Sequence, residues 1–120
     1  MADYDDYFQT GWLSIWLGQQ GDEDDLDDYL SGPFKRDFGF DWPWQLGPQG
    51  NVSIDPIAVD SLVRQAVPAQ VDKLDEALAA CRWTTASSIV VFYNLKYRGE
   101  APGTVHGMMF FGAFEYPSKV

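Results

Sequence analysis

Ile89-Val90-Val91-Phe92-Tyr93 is an unbroken run of β-branched and aromatic residues, the composition of a strand covered on both faces. After Tyr93 the pattern alternates, with Asn94 and Lys96 on one side and Leu95 and Tyr97 on the other, as in a strand that surfaces at its end. Ser88 to Tyr97 is therefore expected to be the central strand of a small sheet, and two other segments are expected to pair with it. In Trp12 to Leu17, residues Trp12, Ser14 and Trp16 share one face and Leu13, Ile15 and Leu17 the other, so both faces are mostly apolar. In Val105 to Tyr116, Val105, Met109 and Phe111 fall on one face and His106, Met108, Phe110, Phe114 and Tyr116 on the other. Arg98 to Thr104, with Gly99, Pro102 and Gly103, reads as a hairpin-like turn into that last strand.

Helical spacing predicts three helices. Asp22 to Leu30 has Asp22 as N-cap, acids in the first turn that complement the helix dipole, and an apolar stripe of Leu26, Tyr29 and Leu30. Asp55-Pro56 reads as an N-cap and first helical proline for a second helix, Pro56 to Val67, with Val59, Leu62, Val63, Ala66 and Val67 as its stripe. Val71, Leu74, Leu78 and Cys81 give a third, Pro68 to Cys81. Between the first two, Phe34, Phe38, Phe40, Trp42 and Trp44 alternate with polar or small residues. Pro33, Pro43, Pro48 and several glycines nevertheless make Phe34 to Gly50 mostly loop. The expected fold is α+β: a small antiparallel sheet of three to four strands packed with about three helices. It forms one domain over 11–120, preceded by an acidic, aromatic arm at 1–10 that is ordered only where its aromatics find a surface.

Charge changes this picture most. The chain has 18 acidic and 8 basic residues, and residues 1–41 hold eleven of the acids with only two bases. Such a concentrated field repels nucleic acid and anionic membranes and attracts basic partners, and for an acidic protein in general the plainer reading is that it only maintains solubility. One cysteine, Cys81, excludes an intramolecular disulfide and fits a reducing compartment. The acidic start of the chain is unlike a signal peptide, and no apolar run approaches the roughly 20 residues of a membrane helix. A cytoplasmic protein is expected.

Catalytic and cofactor motifs are few. His106, the single histidine, falls inside a strand pattern and is expected to be a half-buried structural residue among aromatics. Cys81, on an apolar helical stripe, is expected to be an inert core thiol. Read as a calcium loop from Asp22, the acidic run places Leu26 at the fifth position, Asp27 where glycine is required and Pro33 at the twelfth, so the motif fails. Asp37-Phe38-Gly39 matches a kinase motif by three letters without the rest of a kinase. No metal, cofactor or catalytic set is expected. The residues expected to meet a partner are Asp22, Glu23, Asp24, Asp25, Asp27, Asp28, Asp37, Asp41, Trp42 and Trp44, the two tryptophans serving either the interface or the core.

Ser14-Ile15-Trp16-Leu17-Gly18, the acidic helix ending in Tyr29-Leu30, Asp37-Phe38-Gly39-Phe40-Asp41, and Val90-Val91-Phe92-Tyr93-Asn94 with Tyr97 occur in one order. In this the chain resembles the immunity protein 22 family of bacterial polymorphic toxin systems, from about Trp12 to Tyr116. Family members carry a longer acidic stretch after the Asp-Phe-Gly-like segment, where this chain has Trp42-Pro43-Trp44-Gln45-Leu46-Gly47-Pro48. The resemblance implies an α+β protein that binds a cognate toxin with a basic surface and neutralises it in the cytoplasm, with no part for nucleic acid or membrane. Two other classes stay open: a small carboxylate-dependent enzyme, and an acidic nucleic-acid mimic regulating a basic host protein.

Overall fold

The structure, a computed structural model, describes residues 2–42, 47–67, 70–99 and 103–116. In chain order the strands are β1 (Ala2–Asp3), β2 (Phe8–Gly18), β3 (Phe40–Asp41), β4 (Gln49–Ala58), β5 (Thr85–Leu95) and β6 (Met108–Glu115). The helices are α1 (Tyr4–Tyr7), α2 (Glu23–Ser31), α3 (Pro33–Phe38), α4 (Val59–Ala66) and α5 (Leu74–Ala80). The fold is α+β. Its centre is an antiparallel sheet in the order β4-β5-β2-β6, with β1 and β3 forming a short parallel pair beside it.

Each face of the sheet carries its own core, as the doubly apolar β2 and β5 require. Leu13, Ile15, Leu17, Ile89 and Val91 pack with Val59, Leu62 and Val63 of α4 and Leu74 of α5. Trp16, Val90 and Phe92 face the other way, into an aromatic layer with Leu26, Tyr29, Phe34, Phe38, Phe40 and Tyr97. Trp16 is fully buried there, its ring 4.8–6.0 Å from six other aromatic rings. The N-terminal residues join this layer: Tyr4 is buried and donates its hydroxyl to the Tyr93 carbonyl at 3.0 Å.

β5 is interior, as expected, and pairs with β2. Its other neighbour is β4 rather than β6, which pairs with β2 instead. The connection from β5 to β6 therefore crosses over β2 and is not a hairpin; residues 100–102 of the turn expected at Arg98 to Thr104 lie outside the described residues. Alternation reports which face a residue occupies; it carries no information on which strand lies alongside. Tyr97 pins the crossover to the aromatic side, donating its hydroxyl to the Phe38 carbonyl at 2.7 Å. The tight turn lies further on. Val105 and Met108 exchange backbone hydrogen bonds of 2.8 and 2.9 Å across His106 and Gly107, both at positive φ, the geometry that suits a two-residue hairpin.

Bulges overturn two further expectations. Trp16 faces Phe110 and Ile15 faces Gly112, so Phe111 is an extra residue in β6. Beyond it the alternation inverts, and Phe114 and Tyr116 join the core of Met109 and Phe111, opposite Met108 and Phe110. In β4, residues 53–56 leave the ladder between the pairs Val52↔Ser88 and Ile57↔Ala86. Pro56 sits in that excursion on an edge strand, where no ladder N–H is needed. The chain stays extended to Ala58, and the helix expected from Pro56 starts at Val59.

The stretch expected to be loop from Phe34 to Gly50 contains α3, β3 and the start of β4. Pro33 opens α3, Phe34 and Phe38 fall on its buried side four residues apart, and Gly39, at φ 76°, ends it in the left-handed conformation. The third helix is shorter than expected, starting at Leu74 after Lys73 at φ 62°; Pro68 and Ala69 lie outside the described residues. No helix among the described residues is long and apolar enough to cross a membrane.

Candidate functional site

The acidic helix forms as its sequence dictates. The Asp22 carboxylate accepts the Asp24 N–H at 2.8 Å, and the acids of the first turn sit at the positive end of the helix dipole. Leu26 and Tyr29 are buried and Leu30 half-buried, which turns Asp24 and Asp28 outward and leaves Glu23, Asp25 and Asp27 exposed on the flanks. Among the described residues none of these acids enters an ion pair. The bases that do pair are engaged elsewhere, Lys35 with Asp41, Arg64 with Asp60 and Asp75, and Arg36 and His106 with Asp37.

Asp37 is placed differently from the acids of α2. Its carboxylate is 10% exposed, accepts the Tyr29 hydroxyl at 2.8 Å and lies 2.7 Å from Nδ1 of His106, with Arg36 Nε 3.9 Å away. The Tyr29 phenol is held well above its ordinary pKa, first by burial and then by this bond to Asp37. The arrangement ties α2, α3 and the turn before β6 together. It also corrects the expectation for His106, whose side chain is 60% exposed and has a carboxylate partner. The strand pattern hid this because His106 occupies a turn in the left-handed conformation, at φ 51°. Cys81 is half-buried at the end of α5, against the core beneath α4.

Asp41 and Trp42 stand apart from the helix. Asp41 pairs with Lys35 at 2.7 Å, and the hydrogen bonds from Lys35 and from the Trp42 N–H hold its carboxyl below the usual range. Trp42 is half-buried against Phe34, Phe40 and Phe92, with the Lys35 ammonium 4.8 Å above its ring. With Asp3, Tyr4 and Asp5 these two residues line a cleft of about 320 Å³. Trp44 lies outside the described residues. The structure thus gathers Asp22, Glu23, Asp24, Asp25, Asp27 and Asp28 on one helix, draws Asp37 into a buried contact and sets Asp41 and Trp42 beside the N-terminal acids.

Sequence reasoning missed one surface residue altogether. Ile54, in the excursion of β4, is 89% exposed. Assigning Asp55-Pro56 to a helix start removed the signal. Among the described residues no group of three His, Cys, Asp or Glu side chains is placed to hold a metal ion.

The fold and surface define a small α+β protein with an acidic helix face that forms no ion pair among the described residues. Compared with models of protein families, with curated proteins and with solved structures, the chain matches none.

Proposed function

We propose that this chain is an immunity protein, a relative of the immunity protein 22 family it resembles in sequence, which binds a toxin in the cytoplasm and blocks it by occlusion. The observation that carries this reading is the α2 surface, where exposed carboxylates crowd one short helix with no basic partner among the described residues. Like charges on neighbouring turns repel by a few tenths of a kcal/mol each. A basic partner turns that repulsion into attraction and speeds encounter. A stoichiometric inhibitor gains from speed, because it must capture the toxin before damage is done.

One observation favours an enzyme instead. His106 is exposed and oriented by Asp37, as a general acid–base residue is. Among the described residues, however, no serine, threonine or cysteine side chain hydrogen-bonds to it.

The test is to read the genes beside this chain's and to co-express the chain with any toxic domain encoded there. A stable complex together with rescued growth is the expected result. Rescue with no physical complex would mean enzymatic reversal of the damage and would end the occlusion reading.

A further inference from the structure

The outward acids of α2 attract a basic partner but do not seat it. A seat lies between α2 and the edge strand β4. Glu23, Leu26, Asp27 and Leu30, three and four residues apart, form one flank of the helix. Facing them are Gly50 and Val52 of β4, and the space between is a cleft of about 260 Å³. Its floor is apolar, made by buried Leu26 and half-buried Leu30 and Val52, and its wall is acidic, made by exposed Glu23 and Asp27.

Gly50 keeps the floor open, since a Cβ there would lie 3.2 Å from Leu26 Cδ2. The other wall is a strand edge. β4 pairs with β5 along Gln49–Val52, and no described strand pairs with its outer side. Natural edges are blunted by charge, proline or a bulge, yet Gln49-Gly50-Asn51-Val52 carries none of these. Proline flanks this stretch instead, Pro48 just before it at one end of the cleft and Pro56, with Asp55, in the excursion that follows.

We infer that this groove takes an extended basic segment of the partner, added as a further strand along the outer edge of β4. In such a strand alternate side chains point to the α2 side. Lysine or arginine there lays its aliphatic stem on Leu26, Leu30 and Val52 and brings its charged head to Glu23 and Asp27. The same wall rejects an acidic segment, and it rejects a second copy of this chain, whose net charge is −10. This deepens the immunity reading by naming where and how the toxin is held. It rests on that reading only for the owner of the segment.

The probe is a short fluorescent peptide of alternating lysine and valine, titrated against the full chain at physiological ionic strength. Anisotropy gives affinity, and amide chemical shifts give location. Expected are shifts concentrated in 49–52 and along the Glu23–Leu30 flank. The double variant Glu23→Lys, Asp27→Lys should bind about tenfold or more weakly. The variant Asp72→Lys, Glu76→Lys makes the same change in net charge at exposed positions by α5, on the opposite face of the sheet, and should stay within about threefold. The peptide N-methylated at alternate amides keeps its charge, loses its backbone donors and should also fall about tenfold.

Equal weakening by the two double variants, shifts centred elsewhere, no loss on N-methylation, or no binding at all would overturn the groove. The two readings fail separately. A toxin complex indifferent to Glu23→Lys, Asp27→Lys removes the groove and leaves immunity. Peptide bound in the groove with no toxin complex does the reverse.

Discussion

Ser14 lies fully buried in the middle of β2, where the neighbouring positions are apolar. Its hydroxyl donates to the Leu95 carbonyl at 2.8 Å and accepts the Tyr97 N–H at 2.9 Å. These two groups sit where β5 ends and the crossover begins, just past Asn94, whose φ of 56° is left-handed within the last two residues of the strand. A side chain of β2 thus bonds backbone groups where the pairing of β2 and β5 skips from Leu13↔Tyr93 to Phe8↔Leu95. Replacing Ser14 with Ala strands both groups, and Leu95 and Tyr97 are 0% and 4% exposed, so water does not substitute. Each stranded group costs about 1–3 kcal/mol. The carbonyl has a second lone pair and belongs at the low end of that range, which places the sum at about 2–4 kcal/mol. Against a typical stability of about 5–15 kcal/mol that is about a third at the midpoints of the two ranges. Urea unfolding followed by tryptophan fluorescence measures it directly. The midpoint should fall with the slope unchanged, because the surface exposed on unfolding is the same. A loss below about 0.5 kcal/mol would refute the reasoning, since Ser14 would then be filling space rather than bridging two buried groups.

Other outcomes follow from single contacts. Stability should decline with alkali from about pH 10, because burial raises the Tyr97 phenol from 10.0 to about 12 and the Tyr29 phenol is raised as well. Above pH 10 the unfolded chain loses these protons first, so the contribution is intact below that pH and is lost as pH rises toward the folded values. The slope approaches about 1.4 kcal/mol per pH unit for each phenol, and Tyr97→Phe should flatten it. His106→Gln should fold, bind the toxin and protect; a variant that binds but no longer protects would revive the enzyme reading. Ile54→Asp should leave the thermal midpoint within a degree or so, since the side chain is 89% exposed. It should weaken the toxin complex, and unchanged dissociation would place Ile54 outside the interface.

What the sequence discloses depends on whether a residue's neighbours are apolar. The two faces of β2 and the stripe of α2 were legible because burial writes a period into the residues. That period stops at each bulge. Phe111 in β6, and residues 9–12 of β2 opposite Asn94 alone, are taken up without leaving a mark in composition, and every assignment beyond them needs the register. Phe34 and Phe38 carried the helical spacing of α3, but the alternation of Phe38, Phe40 and Trp42 competed with it, and the surrounding prolines and glycines favoured loop. Val105-His106-Gly107-Met108 is a hairpin turn that reads as strand because its ends are apolar. Here the glycine was the available signal.

β4 was the hardest element to see, and the reason bears on function. A strand inside a sheet is recognised by what it buries, and β4 buries little: most of Gln49–Ala58 is exposed or half-exposed. Its polar composition follows from lying at the edge, with β5 on one side and no described strand on the other. An edge of that kind is invisible to hydrophobic periodicity and is also where an incoming strand finds backbone groups to pair with. The acidic helix was legible because charge is conspicuous, yet charge alone selects only the sign of a partner. Geometry enters through the second wall, the one the sequence conceals. If Glu23 and Asp27 act as proposed, their effect depends on β4 standing opposite them, and the same two acids on an isolated helix would attract a basic segment without orienting it.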